Sequence, residues 1–391
     1  MKRTAAIILI LLCTTLSVFA TDVFTGDVID YDSALTVASL SQLNCPSAVL
    51  CDLDSGKVLY ELNADEKRAP ASVTKIMTML LVLEACDSGA ISLQDTVTAG
   101  EHACSMGGSQ VFLEPGEQMT VLEMFKCVSI ASANDAAVAL AEHVSGSEEL
   151  FVEKMNSRAR ELGMVNTQFK NACGLDTEGH YTTARDIAIM SAALARHSQA
   201  FAFTTTWMDS IRNGEFVLTN TNKLIRSYKG ITGLKTGSTG DAGFCISATA
   251  EKNGMRLCAV VMGAETSKIR FECATALLNL GFANYESVDP LGGLTLPEIG
   301  VKGGKNETLS LITGEHSHII IEKGTGDSLV ISAEYPQEIK APVTAGAELG
   351  RVTVSQNGET ILTVPILAAH DVEKLGFFGA FCRMLARLSL Y

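Results

Sequence analysis

The chain has 391 residues, 47% of them apolar and 19% charged, which suits roughly two or three packed domains and is too hydrophobic for a disordered polymer. Acidic residues outnumber basic ones by 44 to 30, and the formal net charge of −14 argues against a nucleic-acid partner, whose phosphates need a surplus of Lys and Arg. No basic run offsets that balance.

The amino-terminal segment reads as an address. Lys2 and Arg3 precede an apolar stretch from Ala5 to Leu12, and Val18, Phe19 and Ala20 precede polar Thr21. That order is the pattern of a secretory signal, so residues 1–20 are expected to be removed and the protein to work outside the cytoplasm. The apolar run falls short of the roughly 20 residues that span a bilayer, which disfavours a membrane anchor. Leu12 is too bulky for a lipoprotein signal ending at Cys13. The eleven cysteines show no paired spacing and no Cys-x-x-Cys, and Cys86, Cys127, Cys245 and Cys258 sit in apolar runs, so buried thiols are expected rather than a disulfide framework.

From Ala48 to about Asn63, two alternating runs flank Asp54-Ser55-Gly56, which predicts a hairpin. Helices are predicted over 73–86, 120–131, 135–144, 148–162 and 183–196, with Thr120 and Glu123 spaced as a capping pair. GFCISATAE and MRLCAVVMG are joined through Asn253-Gly254, a strong hairpin signal because both central residues of such a turn need positive φ. Strands at both ends with helices between imply an α+β fold, in which an antiparallel sheet unites the first and last hairpins and carries helices against it. A helix over 267–281 closes this body, expected to span 21–286. From 287 to 369 short β-rich runs separated by Gly, Asn and Asp predict an all-β domain.

The last segment, 370–391, is different again. In a helix from Lys374 to Leu390, Phe377, Phe378, Phe381, Met384, Leu385 and Leu388 fall on one side, and Gly376, Arg383 and Arg387 on the other. Such a helix is expected to lie on an anionic membrane surface, with Lys374, Arg383 and Arg387 facing lipid headgroups. The plainer alternative is a helix docked on its own β-domain.

Seven histidines show no metal-ligand spacing, so no metal and no cofactor is expected. Ser72-Val73-Thr74-Lys75 opens an apolar helix, and residues three apart share a helical face, which sets Lys75 beside the Ser72 hydroxyl. Serine is a weak nucleophile unless a neighbour takes its proton, and lysine can do so only with a lowered pKa. Alone the motif is weak, since a Ser-x-x-Lys arises about once by chance in a chain of this size, and an N-cap serine followed by a surface lysine explains it equally. Ser132-Ala133-Asn134 interrupts the helical region, where Ser132 and Asn134 could be caps. Lys235-Thr236-Gly237 lies in a strand-like run before the Asn253-Gly254 hairpin, where it could be the end of an edge strand. In this order, each on the element the chemistry needs, the three match the motif set of penicillin-interacting serine enzymes.

From about Pro46 to the C-terminus the chain resembles the serine-type D-alanyl-D-alanine carboxypeptidases, the low-molecular-mass penicillin-binding proteins. The stretches PASVTKIMT, GSQVFLEPGE, SANDAAVALAEHVSGS, GLDTEGHYTTARD and LKTGSTGDAGF and the helix holding Arg270 carry the resemblance. Departures are small: Ala133 where many relatives have Gly, and Ser238 after the third motif. The resemblance implies the penicillin-binding transpeptidase fold and an acyl-enzyme on Ser72, formed from peptidoglycan stem peptides or from β-lactam antibiotics. It implies Lys75 as base, its neutral form favoured by burial and by Lys235, and Ser132 as proton relay. Asn134 is expected on the substrate amide, the Ser72 and Ser238 N–H groups at the oxyanion, Lys235 drawing in the anionic substrate and supporting Ser132, Thr236 and Arg270 on the terminal carboxylate, and Gly237 among the substrate-binding residues. For Arg270 a surface ion pair is the plainer reading. The resemblance also implies an exported enzyme at the outer face of the cytoplasmic membrane. A β-lactamase-like hydrolase is the lesser enzyme reading, because no Glu-x-x-x-Asn lies between the second and third motifs. A non-catalytic penicillin-binding sensor or scaffold is the alternative from another class.

Overall fold

The computed structural model describes residues 43–388. The expected signal segment 1–20, with Cys13, lies outside them. The first hairpin forms where predicted, with β1 (Ser47–Asp52) and β2 (Val58–Leu62) joined through a turn in which Ser55 N and Ser55 Oγ both donate to Asp52 Oδ2, at 2.7 and 2.6 Å. A 3₁₀ turn over Ala71–Thr74 then leads into α1 (Lys75–Asp87). Further helices are α2 (Val121–Ser129), α3 (Asn134–Ser145), α4 (Glu148–Glu161) and α5 (Ala184–Ala195). The Thr120 hydroxyl accepts from Glu123 N at the head of α2 while the Glu123 carboxylate accepts from Thr120 N, closing the predicted capping box. Two small two-stranded sheets were not foreseen, Thr96–Thr98 with Gln118–Thr120 and Met208–Ile211 with Phe216–Thr219. Their strands of three or four residues are too short to show a period of two.

Strands β3 (Ile231–Thr239), β4 (Gly243–Lys252) and β5 (Met255–Ala264) complete a five-stranded sheet in the order β2-β1-β5-β4-β3. At the turn between β4 and β5, Asn253 and Gly254 have φ of 52° and 74°, the left-handed pair such a turn requires. β1 lies antiparallel to β5 from Ser47 opposite Met262 to Asp52 opposite Leu257, so the first and last hairpins meet. The strand period of two then sorts the side chains. Val49, Cys51, Val260 and Met262 join the apolar cluster under α1 to α5, whereas Ala48, Leu50, Ala259 and Val261 join a second cluster with α6 (Ser267–Asn284) on the other face. A rigid sheet covered on both faces thus presents β3 as a free edge beside the amino end of α1. All ten cysteines among the described residues are free thiols, and all but Cys86, Cys104 and Cys382 are buried.

Beyond α6 a third apolar cluster gathers Leu291, Ile299, Leu309, Val352, Val364, Ile366 and their neighbours. It is built on a four-stranded sheet of β6 (Leu311–Thr313), β9 (Glu359–Ala368), β8 (Glu348–Gln356) and β7 (Leu329–Glu334), in that order. The strand Ile319–Glu322 joins this region to the body. Ile320 faces the α6 cluster and Ile319 and Ile321 the β cluster, and Lys57 Nζ donates to Ile320 O at 3.0 Å.

The final helix, α7 (Phe377–Leu388), follows a chain that stays bonded to the β region, where Leu375 N donates to Gly303 O at 2.8 Å. Arg383 departs from expectation. Its guanidinium donates to Gly304 O and Lys305 O at 3.0 and 2.7 Å and faces Glu307 at 3.3 Å, so it is spent on docking the helix rather than turned to lipid. The apolar side faces outward all the same, with Phe377 and Phe378 89% and 78% exposed. The side chain of Arg387 lies outside the described residues. No described helix is long and apolar enough to cross a membrane. If Arg383 holds α7 in place, Arg383→Gln removes a charged donor from two carbonyls and should lower amide hydrogen-exchange protection in 377–388 about tenfold, with the protection of β1 and β5 unchanged. Equal protection in both proteins would show that the helix is held by something else.

Candidate active site

The site is built where the 3₁₀ turn, α3 and the edge strand β3 converge. Ala71 takes a φ of 50°, a costly conformation for a residue with a Cβ, and so turns the chain sharply into Ser72. Ser72 is half-buried at the head of the turn, and Lys75, one turn later, has no exposed surface. The one-turn spacing does what it predicted: Lys75 Nζ donates to Ser72 Oγ at 2.9 Å. The same nitrogen donates to Asn134 Oδ1 at 2.5 Å and to Cys173 O at 2.6 Å. All three partners are neutral oxygens.

The second motif is not a cap. Ser132 has a φ of 62°, Ala133 is the N-cap residue without a side-chain bond, and α3 begins at Asn134. The left-handed turn aims the Ser132 hydroxyl at β3. The 4% exposed Asn134 spans the site, since its Oδ1 accepts from Lys75 while its Nδ2 donates to Gly107 O at 2.6 Å and its backbone N to Ser109 O at 2.7 Å.

The third motif is a working strand edge. Lys235, 1% exposed, donates from Nζ to Ser132 Oγ and to Thr236 O, both at 2.8 Å. Gly237 is needed for close approach, because a Cβ there would lie 2.7 Å from Ser72 N and 2.9 Å from Val73 N. The strand therefore passes directly over the amide groups at the head of the Ser72 turn. Ser238 follows, exposed to solvent. Thr236 Oγ1 donates to Thr221 Oγ1 at 2.7 Å. Arg270 is no surface ion pair, being only 7% exposed. It reaches through from α6 and donates to Gly237 O at 3.0 Å and Cys245 O at 3.2 Å, two carbonyls that face each other across β3 and β4. Two of its donors are thus committed to holding β3 in register.

Burial sets the electrostatics. It lowers the Lys75 pKa to about 8, with the nearby Cys173 and Asp135 opposing the shift. It pushes Lys235 well below its ordinary value, with the charges of Lys75 and Arg270 adding to the effect. The cause expected first for a neutral Lys75 is therefore the one present, and the mutual repulsion of the two cations falls on Lys235. Arg270 is lowered to about 10, again by burial.

Several groups at the site were not legible in the sequence. The Cys173 and Gly107 acceptors are backbone carbonyls, which no side-chain pattern announces. His180 is another. Lys170 N donates to its Nδ1 at 3.1 Å, which makes Nε2 the protonated nitrogen facing Thr74 Oγ1 at 2.9 Å, and burial lowers its pKa to about 4. The segment GLDTEGHYTTARD, whose only sequence signal was its place in the family likeness, thus braces the turn that carries Ser72. Its Asp176 also accepts from Thr239 Oγ1 at 2.6 Å, tying it to the end of β3.

Comparison with known proteins agrees with this geometry. The family described as D-alanyl-D-alanine carboxypeptidase matches residues 34–266, and the C-terminal domain of penicillin-binding protein 5 matches residues 293–374. The D-alanyl-D-alanine carboxypeptidase DacF of Bacillus subtilis is 48% identical over 337 residues, covering 85% of this chain and 86% of the relative. Among solved structures, penicillin-binding protein 5 of Haemophilus influenzae superposes with a TM-score of 0.73 at 34% identity, covering 85% of this chain and 98% of the other. Penicillin-binding protein D2 of Listeria monocytogenes, solved with bound ampicillin, superposes with a TM-score of 0.57 at 32% identity over 62% of this chain and 99% of its own. With the serine and lysine one helical turn apart, the second serine and lysine facing them, and a family match over more than half its length, the chain belongs to the D-alanyl-D-alanine carboxypeptidases.

Proposed function

We propose that Ser72 is the nucleophile that attacks the carbonyl between the two terminal D-alanines of a peptidoglycan stem peptide, and that Lys75 takes its proton. The observation that carries this reading is the set of partners around Lys75 Nζ. A neutral amine keeps two N–H bonds and one lone pair. With Asn134 Oδ1 and Cys173 O accepting the two N–H bonds, the lone pair is left for Ser72 Oγ–H at 2.9 Å. Burial favours that neutral form.

The rest of the reaction follows from what surrounds this pair. The developing oxyanion takes hydrogen bonds from Ser72 N–H and Ser238 N–H, which the close passage of Gly237 brings together. Ser132 Oγ, supported by Lys235, relays the proton that Lys75 took from Ser72 to the departing D-alanine amine, which returns Lys75 to its neutral form. Water then attacks the acyl-enzyme, with Lys75 again as base, returning Ser72 and releasing the shortened peptide. The remaining N–H of the Asn134 amide serves the substrate's backbone carbonyl. The substrate's terminal carboxylate is drawn to Lys235 and the Thr236-Gly237 edge, behind which Arg270 supplies charge and fixes the strand. A β-lactam presents an acyl carbonyl and a carboxylate in the same relation and acylates the same serine; the Listeria neighbour is solved in an ampicillin-bound form.

Ser72→Ala should abolish both release of D-alanine, followed by mass spectrometry of a muropeptide pentapeptide, and covalent labelling by a fluorescent penicillin. Lys75→Ala should keep the circular-dichroism spectrum and lose about a hundredfold or more in acylation rate. Normal labelling of the Ser72 variant would remove this serine from the mechanism.

The pH dependence follows in sign from the Lys75 shift. Lysine is a base only when neutral, so acylation should rise about tenfold per pH unit below pH 8 and level off above it. A rate of penicillin labelling that falls, or stays flat, between pH 6 and 8 would exclude Lys75 as the base.

We place the enzyme outside the cytoplasm, delivered by residues 1–20 and held at the outer face of the membrane by segment 370–391, with a catalytic body over 21–286 and an all-β domain over 287–369. The outward side of α7, with Phe377, Phe378, Phe381, Met384 and Leu385 exposed, supports the attachment. Because Arg383 is bound to the β region, apolar burial rather than that cation carries the contact. Phe378→Glu or Phe381→Glu in the full chain should therefore abolish cosedimentation with lipid vesicles at both low and high salt, without changing hydrolysis of a soluble peptide. Vesicle binding that survives both substitutions would place the anchor elsewhere.

A further inference from the structure

The loop that bonds Asn134 also holds a phenylalanine in a backbone conformation that bulky residues rarely adopt. Phe112 has a φ of 56°, a conformation that bulky side chains rarely adopt, and its ring is 68% exposed. The surrounding structure enforces both. From one side the buried carboxylate of Asp135 accepts from Val111 N at 3.1 Å and Leu113 N at 3.1 Å. From the other, Arg212 donates to Val111 O at 2.9 Å and Phe112 O at 3.2 Å while its guanidinium grips both oxygens of Glu117 at 2.7 and 3.0 Å. Val111 and Leu113 point into the core, so Phe112 is driven outward. There its ring stands edge-to-face with that of Phe216, the centroids 6.5 Å apart. A folded chain gains nothing by clamping a phenylalanine from both sides into solvent. Strain of this kind is retained where a group has a use.

The position says which use. The same loop supplies the two carbonyls, Gly107 O and Ser109 O, that hold the side chain and backbone of Asn134. Asp135, which clamps Phe112, is the next residue of the same helix. Resting on the assignment of Asn134 to the substrate's backbone, we infer that Phe112 is a specificity residue of this site, an apolar shelf for the side chain of the residue that precedes D-Ala-D-Ala. A substrate whose terminal dipeptide lies along β3 must leave past Asn134, and its preceding residue then meets the rim. A long aliphatic side chain there covers its methylene groups against the exposed ring, and a glycine has nothing to cover.

The test compares two N-acetylated tripeptides ending in D-Ala-D-Ala, one with acetylated lysine and one with glycine in the preceding position. The enzyme should prefer the lysine peptide in kcat/KM, and Phe112→Gly should reduce that preference about three- to tenfold, the usual worth of one aromatic contact. Phe112→Tyr should keep it. Because glycine relieves the positive φ, Phe112→Gly should also melt no lower than the unsubstituted enzyme. An unchanged preference in Phe112→Gly, equal loss in the tyrosine variant, or a melting temperature lowered by several degrees would each overturn the proposal, the last by showing the ring to be a packing element. Penicillin labelling of the same samples reports on Ser72 independently, so a failure of the shelf is separable from a failure of the catalytic assignment.

Discussion

Everything at the site depends on a lysine buried without a carboxylate beside it. Lys75 has no exposed surface, and its nitrogen meets only neutral oxygens from Ser72, Asn134 and Cys173. An ammonium ion in such a place lacks water and has no carboxylate bonded to it, and the opposing pull of nearby Asp135 is outweighed by burial, so the neutral amine competes near physiological pH. An ion pair at the same position would stabilise the charge and remove the base. The arrangement forgoes the electrostatic stability of a pair and keeps a proton acceptor instead.

The surrounding fold can be understood as what holds those three oxygens still. Ser72 is presented by a 3₁₀ turn whose Ala71 is left-handed, Asn134 by the first residue of α3, and Cys173 by a loop pinned through His180 to Thr74 and through Asp176 to Thr239. The five-stranded sheet supplies the reference frame. β3 is its edge, and an edge strand can offer backbone and side chains to a ligand while its other side remains paired with β4. Arg270, reaching across to Gly237 and Cys245, stiffens that edge from behind.

A second economy of charge appears at the other end of the chain. The cation of Arg383 fastens α7 to the β region, which leaves five large apolar side chains facing outward on a helix whose orientation is set by the protein rather than by lipid. The docked helix and the outward apolar face, alternatives when only the helical period is known, turn out to be compatible. Periodicity defines two sides of a helix but not which of them touches protein.

The longer elements and the three motifs were legible in the sequence. The turn residues at Asp54-Ser55-Gly56 and Asn253-Gly254, the capping box at Thr120 and Glu123, and the one-turn spacing of Ser72 and Lys75 all act within a few residues, and local interactions survive without knowledge of the rest of the chain. The order of three motifs on helix, loop and strand was enough to connect Ser72, Ser132 and Lys235 before any distance was known. The rest was set by packing between distant segments. Burial, which lowers the Lys75 pKa, is a property of what packs around a residue, and the Cys173 and Gly107 carbonyls have no side-chain signature. The partners of Arg270 and Arg383 and the exposure of Phe112 came from the same source. An arginine can pair with carboxylates, carbonyls or lipid, and a phenylalanine can be core or surface. The partner is chosen by segments such as β4, the β region and Arg212, which lie tens of residues away in the chain and reach them only when the chain folds.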